Sequence, residues 1–126
     1  LRGGKLPNYD ASSVAAACSA LAKSGLAERL MIDASHANSG KQPDNQPRVV
    51  ADITAQLEAG ETRIHGVMVE SHLVAGRQDL VPGRELTYGQ SITDGCIGWE
   101  TSVQVLERLA EAVRRRRKNL AAQAAA

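Results

Sequence analysis

Apolar positions along the chain follow two different periods, and the places where one gives way to the other mark out the elements. Over residues 11 to 24, Val14, Ala17, Cys18, Leu21 and Ala22 fall at helical spacing. Asp10 or Ser12 can cap the start of that helix and Gly25 can end it. Leu30-Met31-Ile32 reads as a short strand. Pro47 suits the first turn of a second helix, which places Val50, Ile53 and Leu57 on one face and closes at Gly60. Arg63 to Glu70, RIHGVMVE, is mostly apolar and is expected to be a strand buried on both faces. A last helix starts near Glu100 or Thr101, with Val103, Leu106, Ala110 and Val113 on its apolar stripe.

Between the second strand and the last helix lies a Gly-rich segment, Ser71 to Gly98, that carries Pro82. A connection of that length in a small domain points to function. The alternation of strand and helix predicts an α/β fold with parallel strands. Arg2, His36 and Glu70 each follow a strand or strand-like end, and the two intervals between them are both 34 residues. Such a period also occurs in stacked helical repeats, but these units share no residue pattern and contain strands. Each is better read as one βα module of a (β/α)8 TIM barrel, delivering a polar residue to the rim where barrel chemistry sits. Three modules do not close a ring of eight. The opening LRGGK, without Met, likewise looks like the end of a strand, so the chain is expected to be the C-terminal part of a barrel, about its last three βα units.

Composition narrows the picture further. The 126 residues suffice for one core, and with no Phe, one Trp and two Tyr that core must be built from Leu, Val, Ile and Ala. A net charge of +1 gives no bias toward nucleic acid or acidic membranes. No apolar run reaches the roughly 20 residues of a membrane span. Two cysteines, Cys18 and Cys96, are too few for a disulfide framework, and a cytoplasmic location is expected.

His36 in MIDASHANSGKQ and Glu70 in GVMVESH are therefore candidates to converge, with Asp94 in SITDGCIGWE as a third. One imidazole nitrogen and two carboxylate oxygens suit a divalent cation such as Mn²⁺, Fe²⁺, Co²⁺ or Zn²⁺. On pattern alone the alternative stays open: a lone His after a strand is often a hydrogen-bonded loop residue, and Asp-Gly is often a turn.

LRGGKLPNY, MIDASHANSGKQ, GVMVESHLVAGRQ and LTYGQSITDGCIGWE arrive in an order and at a spacing that resembles the closing portion of the 3-deoxy-D-arabino-heptulosonate 7-phosphate (DAHP) synthases, of the microbial type regulated by aromatic amino acids. The resemblance covers about residues 1–118, leaving 119–126 as an Ala-rich tail. It implies a TIM barrel that condenses phosphoenolpyruvate with erythrose 4-phosphate and water, releasing phosphate, with the help of a divalent metal. It implies that His36, Glu70 and Asp94 are metal ligands and that His36 and Asp94 have catalytic roles. Asp94 would also lie against the aldehyde substrate, and Arg2 would hold the phosphoenolpyruvate phosphate. The family's fourth ligand is a cysteine from the first half of the barrel. That half would be a necessary partner, and the intact enzyme a dimer or tetramer. Cys96 is read as a free thiol near the site that oxidation could join to that cysteine, not as a ligand. Lys41, Asn38 and Gln42 would support the loop.

The remaining features read quietly. His72 is expected to be structural or to sit behind the ligands, His65 to pack or face solvent, and Trp99 to anchor packing. Arg114 to Lys118, RRRRK, is read as a solvated helix end favoured by the helix dipole, with no interleaved aromatic to suggest nucleic acid. The leading function is thus a metal-dependent carbon–carbon bond-forming transferase, inactive as the isolated chain. The alternatives are a non-catalytic folding or association module and an unrelated barrel lyase sharing only the ligand geometry.

Overall fold

The structure, a computed structural model, describes residues 1–125. Its order is α1 (Ala11–Lys23), β1 (Leu30–Asp33), a 3₁₀ turn (Pro43–Asn45), α2 (Gln46–Glu58), β2 (Ile64–Met68), β3 (Val74–Arg77), β4 (Gln90–Ser91) and α3 (Trp99–Ala124). The expected helix signals act as read. Asp10 caps α1, its carboxylate accepting from the Ser13 amide at 3.0 Å. The hydroxyls of Ser12 and Ser13 hold that carboxyl well below the usual range. Gly25, at φ +70°, lets the chain reverse so that Leu26 donates to the Leu21 carbonyl at 2.9 Å. Pro47 lies in the first turn of α2.

β1 and β2 are parallel, with Ile32 opposite Val67 and Asp33 opposite Met68. On the other side of β1, the Leu1 amine donates to the Met31 carbonyl at 2.6 Å. The Asp33 amide donates to the Leu1 carbonyl at 2.8 Å. Leu1 therefore stands beside Ile32 as a parallel neighbour would. One core joins all the layers: Val14 and Cys18 of α1, Ile32 of β1, Val50 and Ile53 of α2, and Val105 and Ala112 of α3.

Several expectations are corrected or extended. β2 is not buried on both faces: Ile64 is buried but His65 is exposed, and Met31 of β1 is 61% exposed, because the described residues cover only one face of this sheet. The stripe of α3 is turned by about one residue. Ser102, Val105 and Ala112 are buried, with Leu109 and Val113 packed against them, while Leu106 is 65% exposed. Trp99 is no anchor here, since it opens α3 at 59% exposure. The segment 71–98 also has structure of its own: β3 and β4 pair, and Ser71 and Gly76 form bridges with Ile97 and Cys96.

The arginine run is solvated, but not as a helix end. α3 continues to Ala124 and has no basic residue in its last turn. Alanine is the best helix former, so the Ala-rich stretch prolongs the helix. Part of the run is instead held by neighbours: Arg115 Nε donates to the Glu111 carboxylate at 3.0 Å, and Arg116 Nη1 donates to the backbone carbonyl of Glu61 at 2.8 Å.

Candidate metal centre

Three separate segments bring their polar residues to one point. His36 stands three residues beyond β1, Glu70 two beyond β2, and Asp94 in the turn between β4 and α3. His36 Nε2 lies 3.6 Å from Asp94 Oδ2 and 3.9 Å from Glu70 Oε1. One ligand atom from each of the three falls within 4.8 Å of the others. Two donors about 2.0–2.2 Å from a shared cation stand at most about 4.4 Å apart, a limit that both His36 distances meet, so the donor set suits a divalent ion in chemistry and a small side-chain adjustment brings it to ligand spacing. A cleft of about 130 Å³ opens beside them, lined by Ser35, His36, Lys41, Pro43, Asp94 and Gly95. A larger open depression of about 460 Å³ lies at the end of α2, by Gln56 and Gly60. It gathers no histidine and only one carboxylate, so the chemistry points to the smaller cleft.

The loop that carries His36 is tightly determined. His36 and Lys41 both adopt positive φ, +46° and +59°, a conformation most side chains avoid. They are held there by the Lys41 amide donating to the His36 carbonyl at 2.7 Å and the Ser39 amide to the Ser35 carbonyl at 3.1 Å. Asn38 knits the loop to its surroundings. Its Nδ2 donates to the Asp33 carbonyl at 2.8 Å, and its Oδ1 accepts from the Asn8 amide at 2.8 Å. Gly3, at φ +78°, crosses so close that a Cβ there would sit 2.8 Å from Ala37 Cβ. The Gly after Arg2 is thus required by the loop it passes.

Two important residues escaped the sequence reading. Asp33 is only 5% exposed, and its Oδ2 meets His36 Nδ1 at 2.7 Å while Oδ1 accepts from the Ser35 amide at 2.8 Å. With Nδ1–H donated to Asp33, the Nε2 lone pair is left facing Glu70 and Asp94, the arrangement that orients metal-binding histidines. Gln46, fully buried, bonds the Glu70 backbone through both ends of its amide. Asp33 was hidden as the end of a strand, and Gln46 as an ordinary polar residue before Pro47. The signal for Asp33 was its spacing: a carboxylate three residues before a histidine, both following an apolar run.

Arg2 sits at the margin, 69% exposed, with Nε 3.6 Å from Asp33 Oδ2. Cys96 is a free thiol, buried, with Sγ 3.5 Å from the Asp94 carbonyl. Burial pushes its pKa up; a hydrogen bond from Ser91 opposes this, and the carboxylates of Glu70 and Asp94 add to it. His72 stays outside the cluster, its Nδ1 accepting from the Leu73 amide at 2.8 Å, and His65 faces solvent.

The four motifs and this cluster agree with a comparison against known families, in which the description "DAHP synthetase I family" matches residues 1–107. The chain belongs to the DAHP synthetase I family. Among its relatives, a phospho-2-dehydro-3-deoxyheptonate aldolase of Haemophilus influenzae is 55% identical over 119 residues, covering 94% of this chain and 33% of the relative. A Phe-sensitive aldolase of the same name from Escherichia coli is 56% identical over 117 residues, covering 93% of this chain and 33% of the relative. The solved structure of the Francisella tularensis aldolase superposes with a TM-score of 0.87 at 46% identity, covering 92% of this chain and 34% of that one. This DAHP synthetase I chain therefore spans about a third of the length of the curated relatives it matches. Relatives whose names specify phenylalanine, tyrosine or tryptophan match at 50–56% identity.

Proposed function

We propose that the chain is the C-terminal part, about the last three βα units, of a (β/α)8 DAHP synthase, and that it supplies most of that enzyme's metal centre. The observation that carries this reading is the convergence of His36, Glu70 and Asp94, from three segments of a chain in this family. Residues 1–118 are the barrel segment; the Ala-rich stretch expected as a separate tail from 119 continues α3 as far as Ala124. The reaction is the condensation of phosphoenolpyruvate with erythrose 4-phosphate and water, giving DAHP and phosphate, the first step of the shikimate pathway.

His36 Nε2 and the carboxylates of Glu70 and Asp94 would hold a Mn²⁺, Fe²⁺, Co²⁺ or Zn²⁺ ion. When bound, the ion supplies Lewis acidity, polarising the aldehyde oxygen of erythrose 4-phosphate. Asp33 accepts from His36 Nδ1–H and so turns Nε2 toward the ion. Asp94, exposed at the mouth of the cleft, would face the aldehyde. Arg2 presents a planar guanidinium whose fork matches two phosphate oxygens, the geometry suited to phosphoenolpyruvate. Holding two polyanions together is positioning and charge neutralisation, and the chain's own contribution to rate is of that kind.

The isolated chain is inactive on this reading, because the other two-thirds of the barrel carry the remaining ligand and phosphate contacts. Support comes from surfaces left open among the described residues. The outer edge of β2 has no strand beside it, and α3 exposes Trp99 and Leu106 on one side. In the intact enzyme, a dimer or tetramer, the rest of the barrel covers them. The same surfaces support the second reading, a non-catalytic folding or association module. The free thiols Cys18 and Cys96 suit the cytoplasm, and no described helix is long and apolar enough to cross a membrane. The test is to combine the chain with the remaining barrel segment of a family member and follow phosphoenolpyruvate-dependent phosphate release with Mn²⁺. Turnover by the pair, lost in His36→Ala and absent from the chain alone, is expected. Turnover by the isolated chain at the rate of an intact synthase would overturn the claim of inactivity, and a pair unaffected by His36→Ala would overturn the site.

A further inference from the structure

We propose that the short segment Pro43–Gln46, the 3₁₀ turn and first residue of α2, is the positioning element that sets the spacing of the three donors, with Gln46 its decisive residue. The inference rests on the metal-centre reading above and adds residues that do not themselves touch the ion. Pro43–Gln46 meets each donor-bearing segment separately. Asn45 Nδ2 donates to the Ser39 carbonyl at 3.0 Å, bracing the His36 loop. Gln46 Nε2 donates to the Glu70 carbonyl and its Oε1 accepts from the Glu70 amide, both at 2.9 Å. Pro43 packs on the Asp94 turn so closely that a Cβ on Gly95 would lie 3.2 Å from Pro43 Cγ.

The Gln46 clamp is unusual for its burial. A fully buried amide must have its polar atoms matched, and a two-point match to one backbone residue fixes both position and orientation. Glu70 lies beyond the end of β2, where the β1–β2 ladder no longer holds it. Its carbonyl also accepts from the Ile97 amide at 3.0 Å, so the clamp reaches the strand of chain that leads out of the Asp94 turn. Displacement of Gln46 therefore moves Glu70 relative to His36 and loosens the Asp94 side at once. A helix could pack equally well with leucine at a buried position; this amide is explained by what it holds.

The test uses the 126-residue chain, Mn²⁺ alone as probe, and two readouts: Mn²⁺ affinity by paramagnetic resonance and amide hydrogen exchange at Glu70 by NMR. Gln46→Leu keeps the volume and removes both bonds. It is expected to speed Glu70 exchange and to weaken Mn²⁺ binding by about tenfold or more, the usual cost of losing support behind a ligand. Asn45→Ala, at an exposed position, leaves the core untouched and keeps the test open if Gln46→Leu folds poorly; a smaller loss of the same sign is expected. Ile53→Val, on the buried face of the same helix, lowers stability without touching the clamp and is expected to leave affinity within about twofold. Mn²⁺ binding that is lost in His36→Ala but unchanged in both Gln46→Leu and Asn45→Ala would overturn this inference alone. Equal weakening in Ile53→Val would overturn it too, by showing a general effect of stability. Absence of Mn²⁺ binding by the unsubstituted chain would overturn the metal-centre reading itself, and this inference with it.

Discussion

Replacing Asp33 with Asn would test how the chain prepares His36. The carboxylate is 5% exposed, and its Oδ2 stands 2.7 Å from His36 Nδ1 while Oδ1 accepts from the Ser35 amide at 2.8 Å. Asparagine is nearly isosteric, so packing is conserved while the hydrogen-bond chemistry changes and the charge facing the exposed Arg2 is lost. If its Oδ1 keeps the Ser35 amide, its NH₂ confronts the ring N–H, donor against donor. The ring relieves this by moving its proton to Nε2, which removes the lone pair aimed at Glu70 and Asp94. Two magnitudes follow. The lost bond to a charged acceptor costs about 1.5–3 kcal/mol of stability. Loss of the partner behind a metal-binding histidine weakens binding about 10- to 100-fold, or roughly 1.4–2.7 kcal/mol. Mn²⁺ titration followed by paramagnetic resonance measures the second, and ring-nitrogen NMR shifts read the tautomer directly. Affinity equal to the unsubstituted chain, with the proton still on Nδ1, would refute the reasoning.

Three further expectations test the frame around the site. Glu61, bonded to Arg63 at 2.7 Å, has its carboxyl lowered from 4.5 to about 2 by that hydrogen bond. A lowered folded value means stability that is present above pH 4.5 and lost as pH falls toward 2. Glu61→Gln should flatten that acid limb in urea titrations, and only slightly, because solvent screens the pair. Gly3→Ala places a Cβ against Ala37 at positive φ, and should cost about 1–3 kcal/mol in denaturant unfolding while disturbing the NMR signals of Asn38. Ile53→Ala, emptying a fully buried position, should cost about 2–5 kcal/mol by the same assay without altering the His36 tautomer.

Much of the candidate site was legible because its chemistry sits where strands end. His36 and Glu70 are polar residues directly after apolar runs, and Asp94 precedes a glycine in a turn. The capping signals of α1 and α2 are local, so Asp10, Gly25, Pro47 and Gly60 announced them. What escaped the sequence depends on packing between distant segments. Gln46 is a buried amide only because the Glu70 backbone lies against it. α3 carries two apolar stripes, one through Val105 and Ala112 and one through Trp99 and Leu106. Periodicity alone does not say which of them meets the chain's own sheet. β3 and β4 lie in a stretch whose glycines and proline mask strand patterning, and the side chains of Gln78 and Gln90 reinforce their backbone pairing.

The central claim is that His36, Glu70 and Asp94 form one metal centre. Crystals of the chain soaked in Mn²⁺ and measured for anomalous scattering test it most directly. The account predicts one dominant peak about 2.0–2.2 Å from His36 Nε2 and from a carboxylate oxygen of each of Glu70 and Asp94. A well-occupied peak elsewhere, with none between these three side chains, would contradict it.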